Sequence, residues 1–389
     1  MFTADDADWF PADSADVFLL IVGIHNLEIG SFWLLLRIYF ELIPIYLFCT
    51  MNRLEKIAVI GGGSWATALV KILCEQKALP TSQIKQLMWW VRTEEKAEFI
   101  KTHRHNPDYI SAIEIHPELI EVSHDLEYVI SNSDALVIAI PAAFLEKSIG
   151  DIPKQLFKGK IVISAIKGLV PSTRQVVGDY FTEHYKIAEK DILVISGPCH
   201  AEEVASEKLS YLTIAGLNQD LARYFAQQLA CRYIKTVASM DVRGTEYGAV
   251  LKNIYAVAAG ICHGLGYGDN FQAVLMSNSI REMKRFLRNL TDADRKINHS
   301  AYLGDLLVTG YSVHSRNRTF GNMIGKGYTV QAAQMEMKMI AEGYYATATI
   351  HDLNEKMQIK MPIMDTVHQI LYEGKSASKS IEKLTEKLV

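Results

Sequence analysis

Residues 56–73, KIAVIGGGSWATALVKIL, place an apolar β-branched run, three glycines and a helical pattern in immediate succession. A chain carrying this segment must run a buried strand straight into a helix through a very short turn, the opening of a βαβ unit. Gly61, Gly63 and Ala66 give the spacing G-x-G-x-x-A. The first glycine permits the turn, the second lets the backbone approach a pyrophosphate, and the small third residue lets the helix lie on the strand. The helix start also offers unpaired N–H groups and a partial positive charge to phosphates. A tight turn that holds no ligand is the plainer alternative.

The same alternation continues downstream. Short apolar runs at 86–92, 133–141, 159–168, 191–198 and 210–216 are separated by helical stretches. Strands that read as continuous apolar runs are covered on both faces, so the expected class is α/β, a Rossmann-like doubly wound sheet. Near Asp241 the character changes to helices only. The expected organisation is a dinucleotide-binding domain over 51–241 and an all-helical substrate or catalytic domain over 242–389. A content of 49% hydrophobic and 22% charged residues fits a folded globular chain. Net charge is -4, so no basic excess points to nucleic acid or to an anionic membrane. Five cysteines without a CxxC pair argue for reduced thiols, a cytoplasmic location and no metal site.

Residues 1–50 are different. Two apolar stretches occur, but Arg37, Glu41 and Pro44 interrupt the second, and a membrane span needs about 20 predominantly apolar residues. The start, MFTADDADW, is acidic where a signal peptide is basic. The segment is read as an upstream extension outside the native fold, ending before Met51, with a peripheral membrane anchor as the alternative. No stable membrane insertion is expected.

Five clusters could carry chemistry. Arg92, in WWVRTEE, stands where the second strand ends. An arginine there suits the 2′-phosphate of NADP, whereas an acidic residue would suit the ribose of NAD, so NADP is favoured. Lys167 and Gly168 follow one strand, and Gly197, Cys199 and His200 follow the next, at the ends where ligands gather in such sheets. Adjacent Cys and His rarely form a catalytic pair, and a loop presenting backbone N–H groups is the better reading. Lys252 and Asn253 lie in GAVLKNIYAVAAG, where Gly248, Lys252, Ala256 and Gly260 share one helix face. Burial there would lower the lysine pKa toward that of a general acid or base; a lysine that snorkels to water is the alternative. Asp305, then Ser315, Arg316 and Asn317, join a carboxylate to a hydroxyl, a bidentate cation and an amide, a set suited to a phosphate monoester.

Together these segments resemble the bacterial NAD(P)-dependent glycerol-3-phosphate dehydrogenases. GGGSWATAL, KG at 167–168, SGPCHAEEVA, GAVLKNIYAVAAGICHGLGYGDN, LGDLLVT, SRN and AEG at 341–343 follow in that family's order. The resemblance implies that Ser64, Trp65, Arg92, Lys167, Ala201, Arg316, Ile340 and Glu342 hold the cofactor. It implies a substrate site of Lys167, Gly197, Cys199, Lys252, Asp305, Ser315, Arg316 and Asn317, with Lys252 as proton acceptor in the oxidative direction. The implied reaction is reduction of dihydroxyacetone phosphate, a small phosphorylated three-carbon substrate, to sn-glycerol 3-phosphate for phospholipid synthesis. A homodimer is among the assemblies the sequence allows. This chain departs from the family at Cys199-His200, where Ser-Phe is usual, and at Ser277-Asn278, where Thr-Arg is usual. The competing readings are a related 3-hydroxyacid-type dehydrogenase and a catalytically silent NADPH-binding regulator.

Overall fold

A computed structural model describes residues 54–290, 295–337 and 341–389. The extension over 1–50 and Ile340 lie outside the described residues. Eight strands form one sheet: β1 (Lys56–Ile60), β2 (Gln86–Trp90), β3 (Glu121–Ser123), β4 (Ala135–Ile138), β5 (Ile161–Ser164), β6 (Ile192–Ser196), β7 (Ser210–Gly216) and β8 (Ile234–Ser239). Their spatial order is β3-β2-β1-β4-β5-β6-β7-β8. All neighbours run parallel except β6 and β7. Interleaved helices are α1 (Ser64–Lys77), α2 (Glu94–His103), α3 (Leu126–Ser131), α4 (Ala142–Ile149), α5 (Val177–Tyr185), α6 (Ala201–Ala205) and α7 (Gln219–Leu229). β1, β4, β5 and β6 are apolar and almost wholly buried, because helices cover both faces.

Two strands carry no legible signal. β3 has three residues, and β8 alternates buried with exposed side chains at the sheet's edge. The antiparallel β7 is a second departure from a uniformly parallel sheet: the chain turns back through the five-residue α6 instead of a long crossover.

Past Ser239 only helices follow: α8 (Val242–Gly264), α9 (Asp269–Leu290), α10 (Asp305–Tyr311), α11 (Arg316–Gly325), α12 (Val330–Glu336), α13 (Glu342–Met357), α14 (Pro362–Tyr372) and α15 (Ala377–Thr385). Every residue of α8 from Gly244 to Cys262 is buried, so α8 is the axis around which the others pack. Small residues make this packing close. A Cβ on Gly260 would stand 2.1 Å from the Arg318 carbonyl oxygen, and one on Gly321 would stand 2.1 Å from that of Val257. Backbone therefore meets backbone where α8 crosses α11. No helix among the described residues is long and apolar enough to cross a membrane. The described cysteines are free thiols.

The strand order reverses between β1 and β4. The chain leaves β1 toward β2 and β3, then returns to lay β4 on β1's other side. The crevice outside the carboxyl ends of these strands is where open α/β sheets bind ligands.

Candidate active site

A cleft of about 830 Å³ opens at that crevice and runs from the glycine turn to α8 and the start of α11. Its size falls within the range usual for cofactor and substrate sites. Gly61 ends β1 with φ +136° and donates its N–H to the Trp90 carbonyl at 3.1 Å. A Cβ there would sit 2.4 Å from the Ala139 carbonyl oxygen, so only glycine fits. Gly63 is the N-cap of α1 and supplies no side chain to cap it, while a Cβ at Gly63 would meet nothing within 4 Å. Gly63, Ser64 and Trp65 line the cleft, so the start of α1 borders it, and the Trp65 indole N–H is buried there without a partner. These features fit the pyrophosphate of a dinucleotide. Arg92 lies two residues beyond β2, exposed and lining the same end of the cleft.

The opposite end holds a cluster of charges. Lys252 is only 5% exposed. Its ammonium donates to Asp305 Oδ1 at 2.5 Å and to Thr309 Oγ1 at 2.8 Å. It therefore does not snorkel. Burial pushes its pKa down to about 7, against the opposing pull of Asp305. Burial also pushes the Asp305 carboxyl up, but Lys167 and Lys252 together hold it below its ordinary value. Lys167 donates to Asp305 Oδ2 at 3.0 Å and to the Gly197 carbonyl at 3.1 Å. Asp305 is thus a carboxylate shared by two lysines from different elements, one after β5 and one in mid-α8. Asn253 donates to the Lys167 carbonyl at 2.9 Å and fixes the loop that carries Lys167. Gly197, at φ +121°, takes the loop after β6 close past Tyr211, where a Cβ would lie 2.6 Å from the carbonyl oxygen.

Of the remaining residues singled out in the sequence, Ser64, Cys199, His200, Ala201, Ser315, Arg316, Asn317 and Glu342 reach the cleft, whereas Ala66, Gly168, Gly197 and Asp305 do not line it. Ser64 and Ala201 line it at the starts of α1 and α6, and Cys199 and His200 precede Ala201. Burial pushes the Cys199 thiol up to about 12, which disfavours the thiolate that a nucleophilic cysteine needs. Ser315 caps α11, accepting from the Arg318 N–H at 3.3 Å. Arg316 projects exposed into the cleft, and the Asn317 amide oxygen accepts from Gly343 N–H at 2.9 Å. Glu342 accepts from the Ala142 N–H at 3.3 Å; burial raises its pKa and Arg316 opposes the rise. It lines the cleft beside the start of α4. Ser277, Asn278 and Arg281 do not line the cleft. Asn278 instead donates to the Val389 carbonyl and accepts from the Val389 N–H, tying down the last residue.

Thr309 is the partner that sequence reasoning missed. It stands one helical turn after Asp305 within LGDLLVT, so Asp-x-x-x-Thr at the start of a helix was the available signal.

Comparison with known proteins identifies the family. The chain matches the family described as NAD-dependent glycerol-3-phosphate dehydrogenase, its N-terminal part over residues 56–222 and its C-terminal part over 241–382. It is 33% identical over 339 residues to a glycerol-3-phosphate dehydrogenase [NAD(P)+] of Bacillus velezensis, covering 85% of this chain and 94% of that protein. A protein of the same name from Enterococcus faecalis is 32% identical over 331 residues, covering 85% and 95%. The crystal structure of glycerol-3-phosphate dehydrogenase from Coxiella burnetii superposes with a TM-score of 0.78 at 26% identity, over 86% of this chain and 99% of that one.

Proposed function

The chain belongs to the NAD-dependent glycerol-3-phosphate dehydrogenase family, and we propose that it interconverts dihydroxyacetone phosphate and sn-glycerol 3-phosphate with Lys252 carrying the proton. It is an oxidoreductase whose dinucleotide is NAD or NADP. One observation carries the proposal: a buried lysine, held by Asp305 and Thr309, faces the same cleft as an uncapped glycine turn.

The nicotinamide, when bound, supplies the hydride for C2 of the ketone. The chain's own groups manage the charge. Reduction leaves an alkoxide at C2, and the Lys252 ammonium gives that oxygen its proton. In the oxidative direction neutral Lys252 takes the hydroxyl proton. Asp305 keeps the amine in place and lessens the cost of charging it in a buried site. Lys167 borders the same space and is steadied by the Gly197 carbonyl, and Ser315, Arg316 and Asn317 hold the phosphate. The product is a precursor for phospholipid synthesis, and the free thiols suit a cytoplasmic enzyme.

The direct test follows NADPH absorbance on adding dihydroxyacetone phosphate. Stoichiometric consumption is expected, and no turnover with either NADPH or NADH overturns the reading. The pH profile carries further information, because a Lys252 pKa of about 7 lies inside the working range. The ammonium is the acid for reduction, so kcat/KM for the ketone falls as pH rises through about 7. Oxidation needs the neutral amine, and its kcat/KM rises over the same interval. Profiles flat through that interval in both directions would remove Lys252 as the proton carrier.

NADP is the favoured cofactor because Arg92 stands at the end of β2 and lines the cleft. Arg92→Asp replaces a partner of the 2′-phosphate with a like charge. Loss of one charge-assisted hydrogen bond at an exposed site costs about 1.5 kcal/mol, roughly tenfold in affinity. The ratio of kcat/KM with NADP to that with NAD should fall by at least that factor. An unchanged ratio would show that Arg92 does not read the phosphate.

A further inference from the structure

His200 lines the cleft beside the lysine cluster, and its Nε2 is buried with no hydrogen-bond partner. The residue is the N-cap of α6, but its side chain does not cap that helix. The ring meets the Val308 carbonyl, so Nε2 alone is left without a partner. Its ring centroid lies 6.1 Å from that of His314, the residue before Ser315. Its electrostatic neighbours are Lys252, Lys167 and Asp305. His200 thus lies in the same cleft as the proposed proton carrier and close to the residue that precedes α11.

The groups around it have their own partners. Lys252 is engaged by Asp305 and Thr309, and Lys167 by Asp305 and the Gly197 carbonyl. Burial, then Lys252 and Lys167, push the His200 pKa down to about 4, against Asp305 and the Val308 carbonyl. The imidazole is accordingly neutral at neutral pH, with one donor and one acceptor nitrogen. A buried polar atom left unpaired is costly, so a free nitrogen in a binding cleft marks a place for a ligand atom. The phosphate already has Arg316 and the start of α11. A neutral imidazole instead matches a neutral hydroxyl.

We infer that His200 is a substrate-binding residue whose Nε2 hydrogen-bonds the free terminal hydroxyl of the three-carbon phosphate, and so selects hydroxylated ketones. This rests on reading the cleft as a dihydroxyacetone phosphate site. Lys252 then acts at C2, Ser315, Arg316 and Asn317 act on the phosphate, and His200 reads the third carbon. C2, the phosphate and the terminal hydroxyl each have a partner from a different segment of the chain.

The test crosses a side chain with a substrate group. Hydroxyacetone phosphate keeps the ketone and the phosphate but lacks the terminal hydroxyl. His200→Phe keeps an aromatic ring and removes both nitrogens; His200→Gln restores hydrogen-bonding capacity. For dihydroxyacetone phosphate, His200→Phe should lower kcat/KM about 2- to 12-fold, the worth of one ordinary hydrogen bond. For hydroxyacetone phosphate the change should stay within about twofold, and His200→Gln should recover part of the loss on the hydroxylated ketone. NADPH binding, followed by fluorescence, checks that each variant is folded; should His200→Phe fail that check, His200→Leu, which also lacks any hydrogen-bonding group, carries the same comparison. Equal losses on both ketones, or no loss on either, overturn the inference. If the unmodified chain turns over both ketones without preferring the hydroxylated one, this inference alone falls. If it turns over neither, the functional reading falls and takes the inference with it.

Discussion

Lys252→Ala is expected to lower kcat by about 10²–10⁴-fold in both directions, the usual contribution of a positioned general acid or base. NADPH binding should be nearly unchanged, since the turn at Gly61 and Gly63 lies at the other end of the cleft. The fold should persist because Asp305 keeps a cation: Lys167 remains at 3.0 Å from Oδ2. Removing the lysine also takes away an amine that burial depresses to a pKa of about 7. In the native chain that depression makes stability rise as pH climbs from about 7 toward the unfolded lysine value near 10.4, because the unfolded state then binds the extra proton. Denaturation curves of the variant should lose this rise. Stopped-flow measurement of NADPH oxidation under single-turnover conditions separates the chemical step from binding. If kcat stays near normal and only KM rises, Lys252 is a phosphate ligand, and another group carries the proton.

The parts of the fold that were legible share a physical cause. β1, β4, β5 and β6 read as strands because burial on both faces makes them runs of mostly apolar residues, with Ser164 and Ser196 only at their ends. The short edge strand β3 and the half-exposed β8 face water on part of their length, so their sequences look like ordinary loop. Lys252 was legible for the opposite reason: a charge in a helix of glycine, alanine and branched apolar residues has to be explained. Its partner was harder to see. Asp305 is 53 residues away along the chain, and the pairing exists only because α8 packs against α10. That Asp305 also holds Lys167, 138 residues away, depends on the loop after β5 meeting the start of α10. Cys199-His200 was legible as a departure, but the unpartnered His200 nitrogen is a property of the packed cleft and has no sequence signal.

Asp305→Asn should produce the second large effect, on stability and on the pH profile together. The carboxylate is 1% exposed and neutralises two ammonium groups at 2.5 and 3.0 Å. Asparagine keeps the shape and one acceptor oxygen but leaves Lys252 and Lys167 as unshielded like charges. Breaking a buried ion pair from one side costs about 3–5 kcal/mol. The lower end, about 3 kcal/mol, is expected here, since Lys252 can shed its proton instead of staying charged. The folded Asp305 pKa lies below its ordinary value. Its contribution is therefore complete above the unfolded value of about 3.9 and is lost as pH falls through the lower folded value. Urea denaturation should show the full gap between native and variant chains at neutral pH, closing only in strong acid. Catalysis should shift in a way that Lys252→Ala cannot imitate. Without the carboxylate, the Lys252 pKa drops below about 7 and the amine is mostly neutral at neutral pH. Reduction then loses its acid and slows, while oxidation keeps a neutral base and is spared in relative terms. The falling limb of kcat/KM for the ketone should move to lower pH by the same amount as the amine. A variant with unchanged limbs and unchanged stability would mean that Asp305 does not hold the charge on Lys252, and the proton route through this cluster would be wrong.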